Sequence, residues 1–391
     1  MDVNLPLPLL GGLSASAFML RHWQKRPLLV RQAWPGVQPP LTRVQAFALA
    51  EQDDVESRLV RRQAERWELR SGPLSRRTLP AAKQPGWTLL LQGLDLHVSA
   101  ARRMLDSFRF VPDARLDDLM LSWASDQGGV GPHTDAYDVF LLQVRGRRRW
   151  QVGRVAKPQW AHDAPLKRLL NFQPTMDWVL EPGDMLYLPP HWGHDGVAQG
   201  GDCMTCSIGF RSPQRDDLAD ELLVRLADSE RPAPPAEGEA AGSRQQAKTH
   251  YRDPDQAATS HPAQLPEPLL AFAREAVAKR LAQPDAIDRA LGEWASEPKA
   301  QVWFEPGGRW PPRAGLRLDA RTRMLYDARH VYINGESLRA AGRDARLMRQ
   351  LADERALPAA ALAKLSPDAT VVLAQWLAAG WAHEGHAGCP S

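Results

Sequence analysis

Alternation of apolar and polar residues in the middle of the chain predicts short strands that enclose a small interior. Along 117–123, successive side chains would point to opposite faces of a strand. The two faces carry Leu119, Leu121 and Trp123 on one side and Asp118, Met120 and Ser122 on the other. If the large apolar side chains pack outward against helices, Asp118 faces an interior site. The alternative is an exposed strand end with Asp118 in water.

The next stretch, 122–150, reads as loop, strand, tight turn at Gly146 and return strand. His133 and Asp135 are two apart, so a strand would place both on one face. On the return strand, Arg148 shares a face with two apolar residues that require burial. A buried guanidinium needs an anion, which a bound carboxylate would supply. The alternative partner is a structural carboxylate, Asp138 or Asp184.

A third group of polar residues follows a short apolar strand at 185–188, which the turn residues Pro182 and Gly183 precede. His194 lies just beyond this strand and is the preferred third ligand, with His191 on the rim. A final strand at 201–211 alternates so that Ser207 faces the interior. Two histidines and one carboxylate are typical of non-haem Fe(II) oxygenases, because three coordination positions stay open. A single His-x-Asp spacing arises by chance in many chains.

The remaining pattern predicts an α+β chain of three parts. Strands and helices up to 212 form the first, and helical periodicity at 216–228, 266–282 and 285–295 forms a second, 213–300. A Pro/Ala/Glu/Gly tract near 229–246 cannot supply a core and is predicted to be a flexible insertion. Short strands and then helices, at 337–356, 358–365 and 368–379, complete a third part, 301–391.

Composition narrows the class of protein. The 391 residues are 43% hydrophobic, enough for a large core, and the net charge is only +3. No dense basic tract indicates direct DNA binding. The cysteines are too few for a disulfide framework, and Cys203 and Cys206 are interpreted as packed strand residues. No signal peptide or membrane-spanning run is present, so a cytoplasmic location is expected.

Several motifs together resemble one enzyme family. GVGPHTDAYDVF, GRRRW, PGDMLYLPP and CSIGFR resemble the JmjC-type ribosomal oxygenases of the cupin superfamily. FMLRHWQKRPLLV near the start and LGEWASEPKAQVWFEP near residue 300 also resemble that family's segments. The resemblance implies a double-stranded β-helix (jelly-roll) barrel with flanking helices. It also implies a helical dimerisation region and a C-terminal winged-helix domain.

The resemblance implies a chemistry as well. Members of the bacterial branch use Fe(II) and 2-oxoglutarate to hydroxylate C3 of an arginine on large-subunit ribosomal protein sixteen. His133, Asp135 and His194 would hold the metal, while Arg148 and Ser122 would bind 2-oxoglutarate. No catalytic acid, base or nucleophile is needed beyond the metal centre.

The substrate arginine would meet a second group of residues. Asp118 could accept its guanidinium, and Met120, Tyr137 and Ser207 would line the pocket, although core packing is the alternative for Tyr137. Two other functions stay open. One is hydroxylation of a histidine in another ribosomal protein, against which the acidic Asp118 argues, and the other is a non-catalytic metal-binding cupin, which has no use for a buried Arg148.

Overall fold

The computed structural model describes residues 2–64, 66–161, 165–228, 250–252, 263–312 and 314–385. Contacts between Cα atoms divide the chain into two units. The first comprises Met1–Ser212, Pro298–Thr322 and Gly342–Ser391, and the second comprises Pro213–Glu297 and Arg323–Ala341. The predicted insertion near 229–246 lies outside the described residues, and so does Cys389. None of the described helices is long and apolar enough to cross a membrane.

The first unit is built on a nine-stranded antiparallel sheet. Its strands are β1 (Leu28–Val30), β2 (Ser57–Gln63), β3 (Arg66–Ser71), β4 (Trp87–Leu91), β5 (Leu116–Ala124), β6 (Val139–Arg154), β7 (Met176–Leu180), β8 (Met185–Leu188) and β9 (Trp192–Phe210). They pair in the order β1-β8-β6-β9-β5-β4-β2-β3, with β7 on the other half of β6. β6 and β9 pair with each other along almost their whole lengths. Every other strand of the sheet is connected to one of these two, either directly or through its neighbours.

One predicted turn is absent. We expected the chain to reverse at Gly146, but β6 runs straight through it as a single strand. Gly146 has a φ of 65° and lies where the register between β6 and β9 shifts, which is the mark of a β-bulge. The glycine signal was therefore real, but the extra residue bends one strand and does not end it. Beyond the bulge, Arg148, Trp150 and Val152 are buried, as predicted from their alternation.

The main core lies between one face of this sheet and the N-terminal helices. These helices are α1 (Ala15–Arg21), α2 (Arg43–Leu49) and α3 (Ser99–Asp106), with 3₁₀ turns at Pro8–Leu10 and Leu94–Leu96. Leu119, Leu121 and Trp123 join this core, together with Cys206 from β9. The prediction that they face outward from the site, and that Cys203 and Cys206 are buried strand residues, is confirmed. The opposite face of β5 is consequently free to carry polar side chains.

The first unit also contains the last elements of the chain. A three-stranded sheet joins β10 (Leu316–Leu318), β14 (Ala356–Leu357) and β15 (Ala382–Glu384), accompanied by α7 (Gly342–Glu354), α8 (Ala359–Leu362) and α9 (Pro367–Ala378). Here too one expectation was wrong. We predicted a helix from 337, but Glu336–Arg339 form a strand. The Asn334–Gly335 turn pairs this strand with His330–Ile333 as a hairpin, and the helix begins only at Gly342.

The second unit holds the helices α4 (Arg215–Asp228), α5 (Glu267–Leu281) and α6 (Ala286–Ser296). It also holds the three-stranded sheet of β11 (Met324–Tyr326), β12 (His330–Ile333) and β13 (Glu336–Arg339). The three helices match the predicted helical stretches to within a few residues. Leu226 of α4 packs with Ala286 and Ala290 of α6 in a small apolar cluster.

Candidate metal centre

Three side chains from two distant parts of the chain, the loop before β6 and the start of β9, converge at one place. They are His133, Asp135 and His194, whose ligand atoms all lie within 4.8 Å of one another. Within the described part of the chain this is the only such group of three or more potential ligands. The preference for His194 over His191 agrees with this placement, since His191 is an exposed residue with a φ of 64° at the turn before β9.

The two histidines are brought together by backbone pairing. His133 donates its N–H to the carbonyl of His194 at 3.0 Å, and His194 donates back at 2.9 Å. This isolated antiparallel bridge is not the regular strand that we predicted for His133 and Asp135, because β6 begins only at Val139. The parity argument for a shared face was therefore wrong in its premise. Loop geometry, fixed in part by the His191 N–H bonded to the Asp135 carbonyl at 2.8 Å, presents the carboxylate.

Both imidazoles are oriented for metal binding through Nε2. The Nδ1 of His133 lies 2.9 Å from the carbonyl oxygen of Gly131, and that of His194 lies 3.0 Å from the carbonyl oxygen of Trp192. A carbonyl can only accept, so each Nδ1 carries the proton and each Nε2 keeps its lone pair. Burial and then the neighbouring His133 lower the pKa of His194 to about 4, which keeps its ring neutral.

These donors suit one divalent ion. His194 Nε2 and Asp135 Oδ2 are 3.5 Å apart, close to the roughly 3 Å expected for two ligands each about 2.1 Å from a common metal. Two imidazoles and one carboxylate leave other coordination positions open, in contrast to a closed structural zinc site. The donor set thus fits a metal that must also bind small molecules.

Arg148 lies buried on β6 on the inner face of the sheet. Its side chain is 4% exposed, and its Nη2 donates to Ser122 Oγ at 3.1 Å. Among the residues that the structure describes, its buried Nε has no hydrogen-bond partner. The alternative ion pairs are not formed. Asp138 accepts from the Tyr187 hydroxyl, and Asp184 accepts from Arg31. Arg148 therefore retains donors for a further acceptor.

The residues predicted to bind substrate lie along β5, β9 and the loop between the two halves of the metal site. Met120 pairs with Ser207 across β5 and β9, so these two side chains share a location. Tyr137 is partly exposed and lies beside Asp135; burial and then the Asp135 and Asp118 carboxylates raise the pKa of its hydroxyl. Tyr137 thus lies between the metal ligands and Asp118.

Asp118 is almost completely buried and already holds several donors. Its Oδ2 accepts from Gln92 Nε2 at 2.7 Å, from the Gly93 N–H at 3.0 Å and from Lys299 Nζ at 2.7 Å. The expectation of an interior Asp118 agrees with this burial, whereas its partner Lys299 was missed. The only available signal was that a buried carboxylate requires a partner.

Comparisons with known proteins agree with this geometry. Family models match in two places, one described as a JmjC domain at residues 103–218 and one as a ROXA-like winged helix at residues 279–383. The ribosomal protein uL16 3-hydroxylase of Escherichia coli is 34% identical over 296 residues, covering 74% of this chain and 73% of that protein.

The chain belongs to the JmjC-type ribosomal oxygenases.

Solved structures of this family superpose on nearly the whole chain. The X-ray structure of E. coli ycfD matches with a TM-score of 0.81 at 29% identity, covering 95% of this chain and 98% of that one. A second structure of that ribosomal oxygenase, in complex with cobalt and 2-oxoglutarate, matches with a TM-score of 0.78 at the same identity and coverage. The predicted α+β architecture, a JmjC barrel combined with a winged-helix domain, is confirmed.

A further polar network, not singled out in the sequence, lies next to Ser122 in this ribosomal oxygenase. Thr205 pairs with Ser122 across β5 and β9, and its hydroxyl donates to Gln143 Oε1 at 2.7 Å. The Gln143 amide donates in turn to the Arg145 carbonyl at 2.7 Å. Both side chains are buried and satisfied, so they support the strand positions of Ser122 and Arg148 without offering a free donor.

Proposed function

We propose that this protein is an Fe(II)- and 2-oxoglutarate-dependent oxygenase that hydroxylates C3 of an arginine side chain in a large-subunit ribosomal protein. The observation that carries the proposal is the pairing of an open His133–Asp135–His194 site with a buried arginine that retains free donors. A binding-only cupin would have no use for such an arginine. When bound, iron and 2-oxoglutarate would supply, together with O2, the chemistry in which one oxygen atom enters a C–H bond and the other enters succinate as 2-oxoglutarate loses CO2.

The protein's own residues would position the reactants. His133, Asp135 and His194 hold the metal on three positions, and the Nδ1 hydrogen bonds prevent the imidazoles from rotating. Arg148 and Ser122 receive the distal carboxylate of 2-oxoglutarate, because a guanidinium can grip a carboxylate with two parallel hydrogen bonds. Burial at this end of the site excludes water from the reacting groups.

The substrate arginine would enter beside Tyr137. Asp118 is the acceptor for its guanidinium, while Met120, Tyr137 and Ser207 line the aliphatic part of its side chain. A buried carboxylate at the end of a partly apolar pocket favours a long cationic side chain over a neutral one. This arrangement supports arginine in preference to histidine as the modified residue.

The test is a turnover assay with a peptide from ribosomal protein uL16. The purified protein, Fe(II) and 2-oxoglutarate should add one oxygen atom to the peptide, and omission of either Fe(II) or 2-oxoglutarate should abolish the gain in mass. Asp135→Ala should also abolish it, because the variant loses the sole anionic ligand. Asp177→Ala is the matched control and should retain activity, because Asp177 is an exposed carboxylate on β7 that pairs with Arg149 of β6. No gain in mass on any arginine-containing peptide would refute the proposal.

We also propose that the protein is cytoplasmic, because its proposed substrate is a component of the ribosome. We further propose that it is a homodimer. Apolar side chains on the helices of the second unit support an interface there. Those exposed include Leu223, Val224, Val277, Ile287 and Leu291. Light scattering should give twice the chain mass, and Leu223→Glu combined with Val224→Glu should yield a monomer. A monomeric wild-type protein would refute the dimer.

A further inference from the structure

A buried charge cluster surrounds Asp118 and lies outside the metal site. Asp118 is 3% exposed, Asp95 is 2% exposed, and the partly exposed Asp117 adjoins them. Lys299 is the cation that reaches into this group, with Nζ 2.7 Å from Asp118 Oδ2 and 3.4 Å from Asp117 Oδ1. Arg211 approaches Asp117 at 3.7 Å from the other side. Asp118 and Asp117 therefore share one closely bound ammonium, and the Asp95 carboxylate is buried near them.

The two oxygens of Asp118 have different surroundings. The three donors to this side chain, Gln92, Gly93 and Lys299, all bond Oδ2. Oδ1 lies toward Gly209 and Tyr137: a Cβ added to Gly209 would be 3.8 Å from Oδ1 and 3.9 Å from the Tyr137 ring. Oδ1 accepts no hydrogen bond within the described part of the chain. One oxygen is thus anchored and the other is presented beside Tyr137.

The anchors are themselves held in place. Gln92 Oε1 accepts from Arg58 at 2.9 Å, which orients the amide so that its NH₂ group points at Asp118. Gly93 has a φ of 60° at the start of a 3₁₀ turn, and its N–H is directed at the same oxygen. Lys299 is the only charged member of these three anchors, so it supplies the opposite charge that a buried carboxylate requires.

Electrostatics support this role. Burial and then the neighbouring charge of Asp118 raise the pKa of Asp95 to about 6, so the two carboxylates act on each other. Burial alone would lower the pKa of Lys299, but Asp118 and Asp117 outweigh it and raise that pKa. Without the ammonium, the Asp118 carboxylate would lose a charged anchor on Oδ2 and would be free to rotate away from Tyr137.

We propose that Lys299 is a positioning residue for substrate recognition: by binding Oδ2 it holds the Asp118 carboxylate turned so that Oδ1 receives the cationic side chain of the substrate. This inference rests on the proposed function, since it assumes an arginine beside Tyr137. A rival role, in which Lys299 occupies the substrate's place and must be displaced, requires both cations to use the same oxygen. The separate surroundings of Oδ1 and Oδ2 favour positioning.

The experiment compares Lys299→Met, Lys299→Arg and Lys279→Met in full-length protein loaded with Fe(II). Lys279 is an exposed lysine of α5 and serves as the matched control. With the uL16 peptide, Lys299→Met should raise the peptide KM about tenfold or more, as for loss of a charged hydrogen bond, while the KM for 2-oxoglutarate stays unchanged. Lys299→Arg should restore most of the peptide affinity, and Lys279→Met should match the wild type.

A second readout separates recognition from a general loss of structure. A peptide with citrulline in place of arginine is neutral but nearly isosteric. The wild type should discriminate strongly between the two peptides, and Lys299→Met should lose most of this discrimination. A Lys299→Met enzyme with unchanged or lower peptide KM and intact discrimination would overturn the inference. If the wild type itself modifies no arginine peptide, it is the proposed function that fails.

Discussion

The role of Arg148 can be tested by changing its charge and its shape separately. Arg148→Ala removes both, Arg148→Lys keeps a positive charge without the planar fork, and Ser122→Ala removes only the hydroxyl that Nη2 now contacts at 3.1 Å. All three variants leave the metal ligands untouched. Each should therefore bind the metal as the wild type does while binding 2-oxoglutarate more weakly.

The size of each effect follows from the burial of the group. Truncating one partner of a buried, hydrogen-bonded charge pair costs about 2–5 kcal/mol, so Arg148→Ala should raise the 2-oxoglutarate KM by about 30-fold or more. Arg148→Lys should raise it by roughly tenfold, because a point charge replaces two parallel hydrogen bonds. Ser122→Ala removes one neutral hydroxyl donor to the cosubstrate carboxylate and should cost about 1 kcal/mol, or roughly fivefold.

The assay is the rate of succinate formation at saturating peptide as 2-oxoglutarate is varied, with cobalt affinity measured in parallel. A stability measurement on Arg148→Met without cosubstrate distinguishes the two interpretations of this residue. If Arg148 awaits a ligand, a volume-matched apolar residue should leave the free energy of unfolding unchanged or raise it. If it belongs to a structural ion pair, the substitution should destabilise the fold by about 3 kcal/mol or more. An unchanged 2-oxoglutarate KM in Arg148→Ala would refute the assigned role.

Two further substitutions test the packing and the buried charges around the site. Gly196→Ala would place a Cβ 2.6 Å from the Trp150 ring, whose centroid lies 5.9 Å from that of the His194 ring. Overpacking should therefore cost about 1–3 kcal/mol of stability, measured by chemical denaturation. It should also weaken cobalt binding, measured by metal titration. Wild-type stability there would contradict the packing argument. Asp95 has a raised pKa, so its stabilising contribution is present below the unfolded-state value near 4 and is lost as pH rises through about 6; the loss is at most about 3 kcal/mol. Asp95→Asn keeps an acceptor for the Leu119 N–H and should flatten unfolding free energies measured between pH 4 and 7; an unaltered slope would count against the shift.

The strand face on which each side chain lies could be predicted from the sequence, because it depends on the local alternation of residues. The alternation along β5 separated Leu119, Leu121 and Trp123 from the polar face, and the structure places those three in the core. Alternation also assigned Arg148 to the buried face of its strand. Both results follow from the two-residue period of a strand, which the chain carries within a few positions.

The geometry that joins these pieces depended on tertiary contacts. His133 and Asp135 come together in a bridge and a loop, not on a strand, because the partner of His133 is the backbone of His194 far along the chain. Gly146 could have made a turn or a bulge, and only the pairing of β6 with β9 decided between them. The clearest case is Asp118, whose ammonium partner Lys299 comes from 181 positions later. Two charged residues so far apart along the chain produce no periodic pattern in the sequence. The types of the site residues could therefore be predicted from the sequence, whereas only the fold decided which residue contacts which.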